Sequence, residues 1–139
     1  SADDLKKIII DAPTKSCPLD PIQTKILKEC IEPLLPTFLK IINTSLATST
    51  VPNSFKQASI TPLLKKPGLE LNELKNYRPV SNLTFLSKIL EKVVSKTLTS
   101  HRATNNLNIP LQSAYRQHHS TETALLKVHN DVLRALDRK

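Results

Sequence analysis

The chain has 139 residues, 39% of them hydrophobic, and twenty Lys and Arg against twelve Asp and Glu give it a formal net charge of +8. That length suits one domain with its own core, and the positive balance predicts attraction to a polyanion, most often nucleic acid. A single glycine excludes a P-loop and a dinucleotide-binding fingerprint, no apolar run approaches the ~20 residues of a membrane span, and Cys17 and Cys30 alone make neither a metal motif nor a disulfide framework.

The basic excess is spread along the chain. Ser1–Leu69 carries nine Lys and Arg against six Asp and Glu, net +3, and Glu70–Lys139 carries eleven against six, net +5. The short apolar stretch Ile8–Ile10 is followed by Asp11, so no secretory core is expected. Reduced thiols and an intracellular location, nuclear or cytoplasmic, are the simplest expectation.

Ser1–Asp11 reads as a short helix with Asp3 and Asp4 in its first turn, where acids suit the helix dipole. Ala12–Pro21 is a loop by its prolines and polar residues. Asp20 followed by Pro21 reads as a cap and first helical residue, predicting a helix over Pro21–Cys30 with Ile22, Ile26 and Leu27 on one face. Because proline fits only a first turn, the next helix is expected to start near Pro33 to Pro36 and to run to Ala47. Leu39, Ile42 and Leu46 would give its apolar stripe. Ala58–Leu64 has strand character, with Pro62 favouring an edge. Lys65–Gly68 is a turn, and "NELKNY" one helical turn.

Leu83–Ser100 is the clearest helix, with Leu86, Ile89, Leu90, Val93 and Val94 at three- and four-residue steps and Lys88, Lys92 and Lys96 as a basic stripe away from them. Leu111–Arg116 reads as a short strand. Ser120 caps a final helix whose apolar face is Ala124, Leu125, Val128, Val132 and Leu136. The order predicts an α+β fold, mostly helical: helices first, then a small strand–helix–strand–helix block.

Three groups of residues could meet phosphate or bases. Pro79 pushes Arg78 toward extended backbone, so its guanidinium is expected to project from a loop rather than lie on a helix face. With Lys65 and Lys66 it could neutralise a triphosphate or a backbone phosphate; a solvated turn is the plain alternative. The Lys88, Lys92 and Lys96 stripe suits a phosphate backbone or simply a wet helix face. Gln112, Tyr115 and Arg116 could meet a strand by hydrogen bonding and stacking, or be an aromatic on the core beside a surface arginine. His118 and His119 are neighbours without metal-ligand spacing or a nucleophile signature.

The stretches "SCPLDPIQTKILKECIEPLLPTFLKIIN", "SFKQASITPLLKKPG", "LKNYRPVSNLTFLSKILEKVV" and "QSAYRQHHSTETALLKVHNDVLRALD" together resemble the start of the reverse transcriptase of non-LTR (LINE-type) retrotransposons. The resemblance covers nearly the whole chain and is weakest over Ser1–Lys15. It implies three parts: a lead-in helix and loop over 1–15, a helical segment over 16–56, and the fingers subdomain of a right-hand polymerase over 57–139, incomplete. It implies that Lys66 and Arg78, with Lys65 beside them, contact the triphosphate of the incoming nucleotide, and that Gln112, Tyr115 and Arg116 lie near the template. Many relatives have glycine and phenylalanine where this chain has Ala114 and Tyr115. The family's "AFD" strand and "Y-x-D-D" turn do not occur in this sequence. Phosphoryl transfer of that type uses carboxylates to hold two metal ions. The chain alone is therefore expected to bind no metal and to make no DNA, with Mg2+ required by the complete polymerase. Its partners would be an RNA template, a DNA primer, deoxynucleotides and the polymerase's palm and thumb, against which stripes such as Leu125, Val128 and Val132 are expected to pack; no membrane is expected. A retained nucleic-acid-binding or protein-interaction module, or an inert retrotransposon remnant, is the alternative.

Overall fold

A computed structural model describes residues 1–138. Among these residues, five α-helices and one antiparallel pair of strands form two compact units, the first spanning Ser1–Leu98 and the second beginning at Thr99. The mixed α and β composition agrees with the expected fold class.

In the first unit, α1 (Ala2–Ile10) starts at Ser1, whose hydroxyl accepts from the Asp4 amide at 3.2 Å. Its far end is held by Lys28, whose ammonium donates to the Ile10 carbonyl at 2.8 Å and to that of Ala12. A cation on the last carbonyls of a helix also complements its dipole. The short α2 (Thr24–Glu29) begins later than its local signal predicts. Asp20 does not cap it. Instead Ser16 Oγ, from eight residues back, accepts the Thr24 amide at 2.8 Å, and Thr24 is completely buried with its hydroxyl on the Lys15 carbonyl at 3.2 Å. Ile22 and Ile26 are exposed, and of the expected face only Leu27 is buried.

Helix α3 (Ile31–Thr48) starts before both prolines and carries Pro36 inside. Pro33 falls in the first turn, where no intrahelical N–H is needed. Pro36 deprives the Glu32 carbonyl of its helical donor. The helix nevertheless continues, because Ile31, Phe38 and Ile42 on one face are buried in the core. Leu39 packs partly against them, whereas the expected third member of the stripe, Leu46, is exposed.

Strands β1 (Ala58–Leu64) and β2 (Tyr77–Leu83) pair antiparallel, with Leu63 opposite Arg78 and Pro62 opposite Pro79. Just beyond the strands the Lys65 amide donates to the Asn76 carbonyl at 2.8 Å. Hydrogen-bonded and non-bonded pairs alternate along an antiparallel ladder. Counting back from positions 65 and 76 puts Pro62 and Pro79 at a non-bonded pair, where neither proline's missing N–H is needed. The stretch expected to hold Arg78 in a loop is thus a strand.

Helix α4 (Phe85–Thr104) buries Phe85, Ile89 and Leu90 in the core, with Leu86 and Val93 partly covered and Val94 exposed. That core also takes Leu5, Ile9 and Ala12 from α1 and its end, and Leu27 from α2. Every buried side-chain polar atom among the described residues has a hydrogen-bond partner.

In the second unit, Leu111–Arg116 is a series of turns and not a strand. The predicted strand–helix–strand–helix order is therefore corrected to strand–strand–helix–helix. The physical reason lies at Tyr115, which takes a left-handed φ of 58° that no strand residue adopts. α5 (Thr121–Leu136) starts at Ser120 as expected, its hydroxyl accepting the Thr123 amide at 3.2 Å. Its apolar residues Leu125, Val128, Val132 and Leu136 are exposed.

Two outcomes follow from this packing. Ile89→Ala, at a fully buried position, is expected to cost about 2–5 kcal/mol in urea unfolding, whereas Leu74→Ala, at an almost fully exposed one, should stay within about 0.5 kcal/mol. The Lys6 ammonium bonds the Glu32 carboxylate, and that hydrogen bond holds the lysine above its ordinary pKa. A raised lysine stabilises at all pH values below its ordinary range and loses that contribution as pH rises through the folded value. An NMR titration of Lys6 should therefore return to the ordinary lysine range in Glu32→Gln, with little change in stability at so exposed a pair.

Candidate nucleic-acid interface

The hairpin between β1 and β2 carries the first group. In the turn Lys66–Leu69, Pro67 presets the first central dihedral and Gly68 takes φ 83°, which suits a glycine. The rest of the connection is held by side chains on backbone. Lys65 Nζ donates to the Lys75 carbonyl at 2.7 Å, Asn76 Nδ2 to that of Glu70 at 2.9 Å, and the Tyr77 hydroxyl to that of Leu71 at 3.0 Å. Arg78 lies on β2, and its Nη2 donates to the Lys65 carbonyl at 3.1 Å. The structure therefore brings Lys65 and Arg78 together, and the single bond to a carbonyl leaves the other N–H donors of the guanidinium facing outward from an exposed residue. Lys66, exposed at the turn, has no ion-pair partner among the described residues. The ammonium of Lys75 pairs with Glu73 at 3.1 Å.

The lysine stripe divides on closer view. Lys88 and Lys92 are exposed on α4 and have no ion-pair partner among the described residues. Lys96 faces Asp4 of α1 at 3.6 Å. That carboxyl is held below the usual carboxylate range first by the hydrogen bond from the Ser1 hydroxyl, then by the amino terminus and by Lys96 itself. Lys96 thus already sits beside an anion that stays charged well into acid, and an incoming phosphate would have to compete with it.

The third group lies in the second unit. Arg116 is half-buried and turned onto its own loop, with Nη1 within 3.3 Å of the Ile109 and Gln112 carbonyls and 3.5 Å of Pro110's. Gln112 Nε2 donates to the Ala114 carbonyl at 3.3 Å. Both side chains organise the loop that presents Tyr115, whose ring is fully exposed. The ring is thus not packed on the core of the described residues, and its faces are open to solvent.

Among the described residues no group of three or more His, Cys, Asp or Glu could hold a metal ion. Among the described residues no helix is long and apolar enough to cross a membrane. One polar residue escaped its sequence reading altogether. Asp20, expected as a local helix cap, bonds the amides of Cys17 and Phe85. The first contact spans three residues and is a signal a turn could have given; the second has no local signal.

No family model matches the chain. It is similar to an RNA-directed DNA polymerase from the mobile element jockey of Drosophila melanogaster, 27% identical over 99% of this chain and 15% of that protein. The jockey polymerase of Drosophila funebris is 29% identical over 99% of this chain and 15% of its own length. A probable RNA-directed DNA polymerase from the transposon BS of Drosophila melanogaster is 30% identical over 71% of this chain and 11% of its own. The chain thus spans about a seventh of the length of the jockey polymerases it matches. The homologues of this chain are RNA-directed DNA polymerases of non-LTR retrotransposons.

Proposed function

We propose that this chain is a segment of a reverse transcriptase that grips the incoming nucleotide and the nucleic-acid strands, the 57–139 portion acting as fingers. What carries the reading is one observation joined to the homology: Arg78, Lys65 and Lys66 lie at one end of the β1–β2 hairpin, with Arg78 bonded to the Lys65 carbonyl. Lys66 and Arg78 would take phosphate, that of the incoming triphosphate or of a nucleic-acid backbone, the lysine as a compact charge and the arginine as a planar fork. Lys65, tied to the Lys75 carbonyl, would add charge and hold the turn. Lys88 and Lys92 would follow a phosphate backbone, with Lys96 a weaker contributor because of Asp4. Tyr115 would stack on a template base, with Gln112 and Arg116 shaping the loop beneath it. The divalent metal and its carboxylates belong to the rest of the polymerase, as do the primer and the palm and thumb. In isolation the segment binds and does not polymerise.

Fluorescence anisotropy on the purified chain with single-stranded RNA, as a function of salt, tests this reading. Affinity should fall steeply with salt, and Lys66→Gln, Arg78→Ala, Lys88→Gln and Lys92→Gln should each lower the slope of log K against log salt by about 0.7, one phosphate contact on a single strand. Lys96→Gln should lower it less. No binding at low salt overturns the reading, and metal-dependent primer extension by the isolated chain overturns the division of labour.

Arg116→Lys offers a second check. All three carbonyl contacts come from Nη1, at the end of a side chain one atom longer than lysine's, so an ammonium would fall short of them. Amide hydrogen exchange over residues 109–117 should quicken, and Tyr115→Ala should weaken RNA binding by roughly 1–3 kcal/mol with the salt slope unchanged.

A further inference from the structure

We propose that Asp20 is a positioning residue for this grip, its carboxylate tying the Cys17–Asp20 loop to the first turn of α4. It thereby fixes the joint at which β2, carrying Arg78, passes into the helix that carries Lys88 and Lys92. The inference rests on the function proposed above.

Both oxygens of Asp20 are committed. Oδ2 accepts the Cys17 amide at 2.6 Å, and Oδ1 accepts the Phe85 amide at 2.7 Å. These are the short lengths of bonds to an ionised acceptor. Phe85 is the first residue of α4, so its N–H is one of the amides a helix cannot satisfy internally. A carboxylate there also meets the positive end of the helix dipole. The helix start therefore already holds its anion, supplied from the far side of the unit.

The same loop grips β2. Cys17 is buried, and its Sγ lies 3.2 Å from the Asn82 carbonyl, the next-to-last residue of the strand. The loop is anchored in turn through Ser16 and the buried Thr24. So one four-residue loop holds both sides of the β2–α4 joint, at Asn82 and at Phe85.

A cleft of about 270 Å³ opens beside this joint, bordered by Leu19, Leu27, Phe38, Phe55 and Leu86, with Asp20 and Phe85 in its wall. On that side the directed links are the Asp20 carboxylate on the Phe85 amide and the Cys17 thiol on the Asn82 carbonyl, one on each arm of the joint. Because Arg78 lies on one arm of the joint and Lys88 on the other, their relative direction follows from the angle between strand and helix.

Amide hydrogen exchange and RNA affinity on the full chain test this together. In the unmodified chain the Phe85 amide should exchange about tenfold or more slowly than an open first-turn amide. Asp20→Asn keeps only one accepting oxygen. It should release Phe85 or Cys17 while Ile89 and Leu90 stay protected. It should also weaken RNA binding by about fivefold, part of the worth of a bond to a charged group. In an Arg78→Ala background the same change should cost less than about twofold, because the residue being positioned is gone. If Asp20→Asn unfolds, Asp20→Glu, with both oxygens moved outward by one methylene, takes its place in the cycle. An unprotected Phe85 amide in the unmodified chain overturns the tie. Additive losses, or no loss of affinity, overturn the positioning role. Absence of RNA binding by the unmodified chain overturns the grip itself, and the exchange result then reports on the tie alone.

Discussion

Ile9 of α1 and Ile89 of α4 are both completely buried, although they lie far apart in the chain, and the first unit is arranged around the apolar seam they share with Leu5, Ile31, Phe38, Ile42 and Leu90. Burial of such side chains contributes roughly 1.5–3 kcal/mol each, the largest favourable term available to a unit of this size. It outweighs a local preference in α3, which it carries through Pro36. Hydrogen bonds with Ser16 and the Lys15 carbonyl hold the buried Thr24, where α2 starts, past the signal at Asp20 and Pro21. The hairpin makes no comparable contribution, since neither strand has a buried residue. Its shape comes from the ladder and from side chains on its own backbone.

That division explains how charge is displayed. Cations that end at backbone carbonyls, such as Lys28, Lys65 and Arg116, are used to close loops and helix ends. Lys66, Lys88 and Lys92 are exposed without an ion-pair partner among the described residues, as are Lys7, Lys15, Lys25, Lys40 and Lys56 elsewhere on the surface. Arg78 does both, with one donor on the Lys65 carbonyl and the rest of the fork outward. A phosphate-binding surface needs both kinds, because a free charge on an unheld turn would lose its position.

Much of this was legible in the residues. The 3.6-residue spacing of Ile89, Leu90 and Val93 located α4, Ser120 located the start of α5, and the β-branched run from Ala58 located β1. The basic turn and Arg78 stood out by residue type and by the adjacent prolines. What misled was local chemistry with a distant partner. Asp20 looks like a helix cap because it precedes a proline, yet its oxygens go to Cys17 and to Phe85. "LQSAYR" has strand-like composition, yet Arg116 folds back on three carbonyls and Tyr115 turns left-handed.

The sequence by itself determined the periodic helices, the charge balance and the ordered motifs shared with retrotransposon polymerases, because each of these is written in residues close together in the chain. Only the tertiary structure decided that Tyr77–Leu83 is a strand, that Lys96 is already matched to Asp4, that Arg116 serves its own loop, and that a carboxylate at position 20 caps a helix starting at 85. The strand, the Lys96 pair and the Asp20 cap depend on which groups meet across longer stretches of chain, and Arg116 on how one short loop folds back on itself; contacts of either kind leave no periodic mark in the sequence.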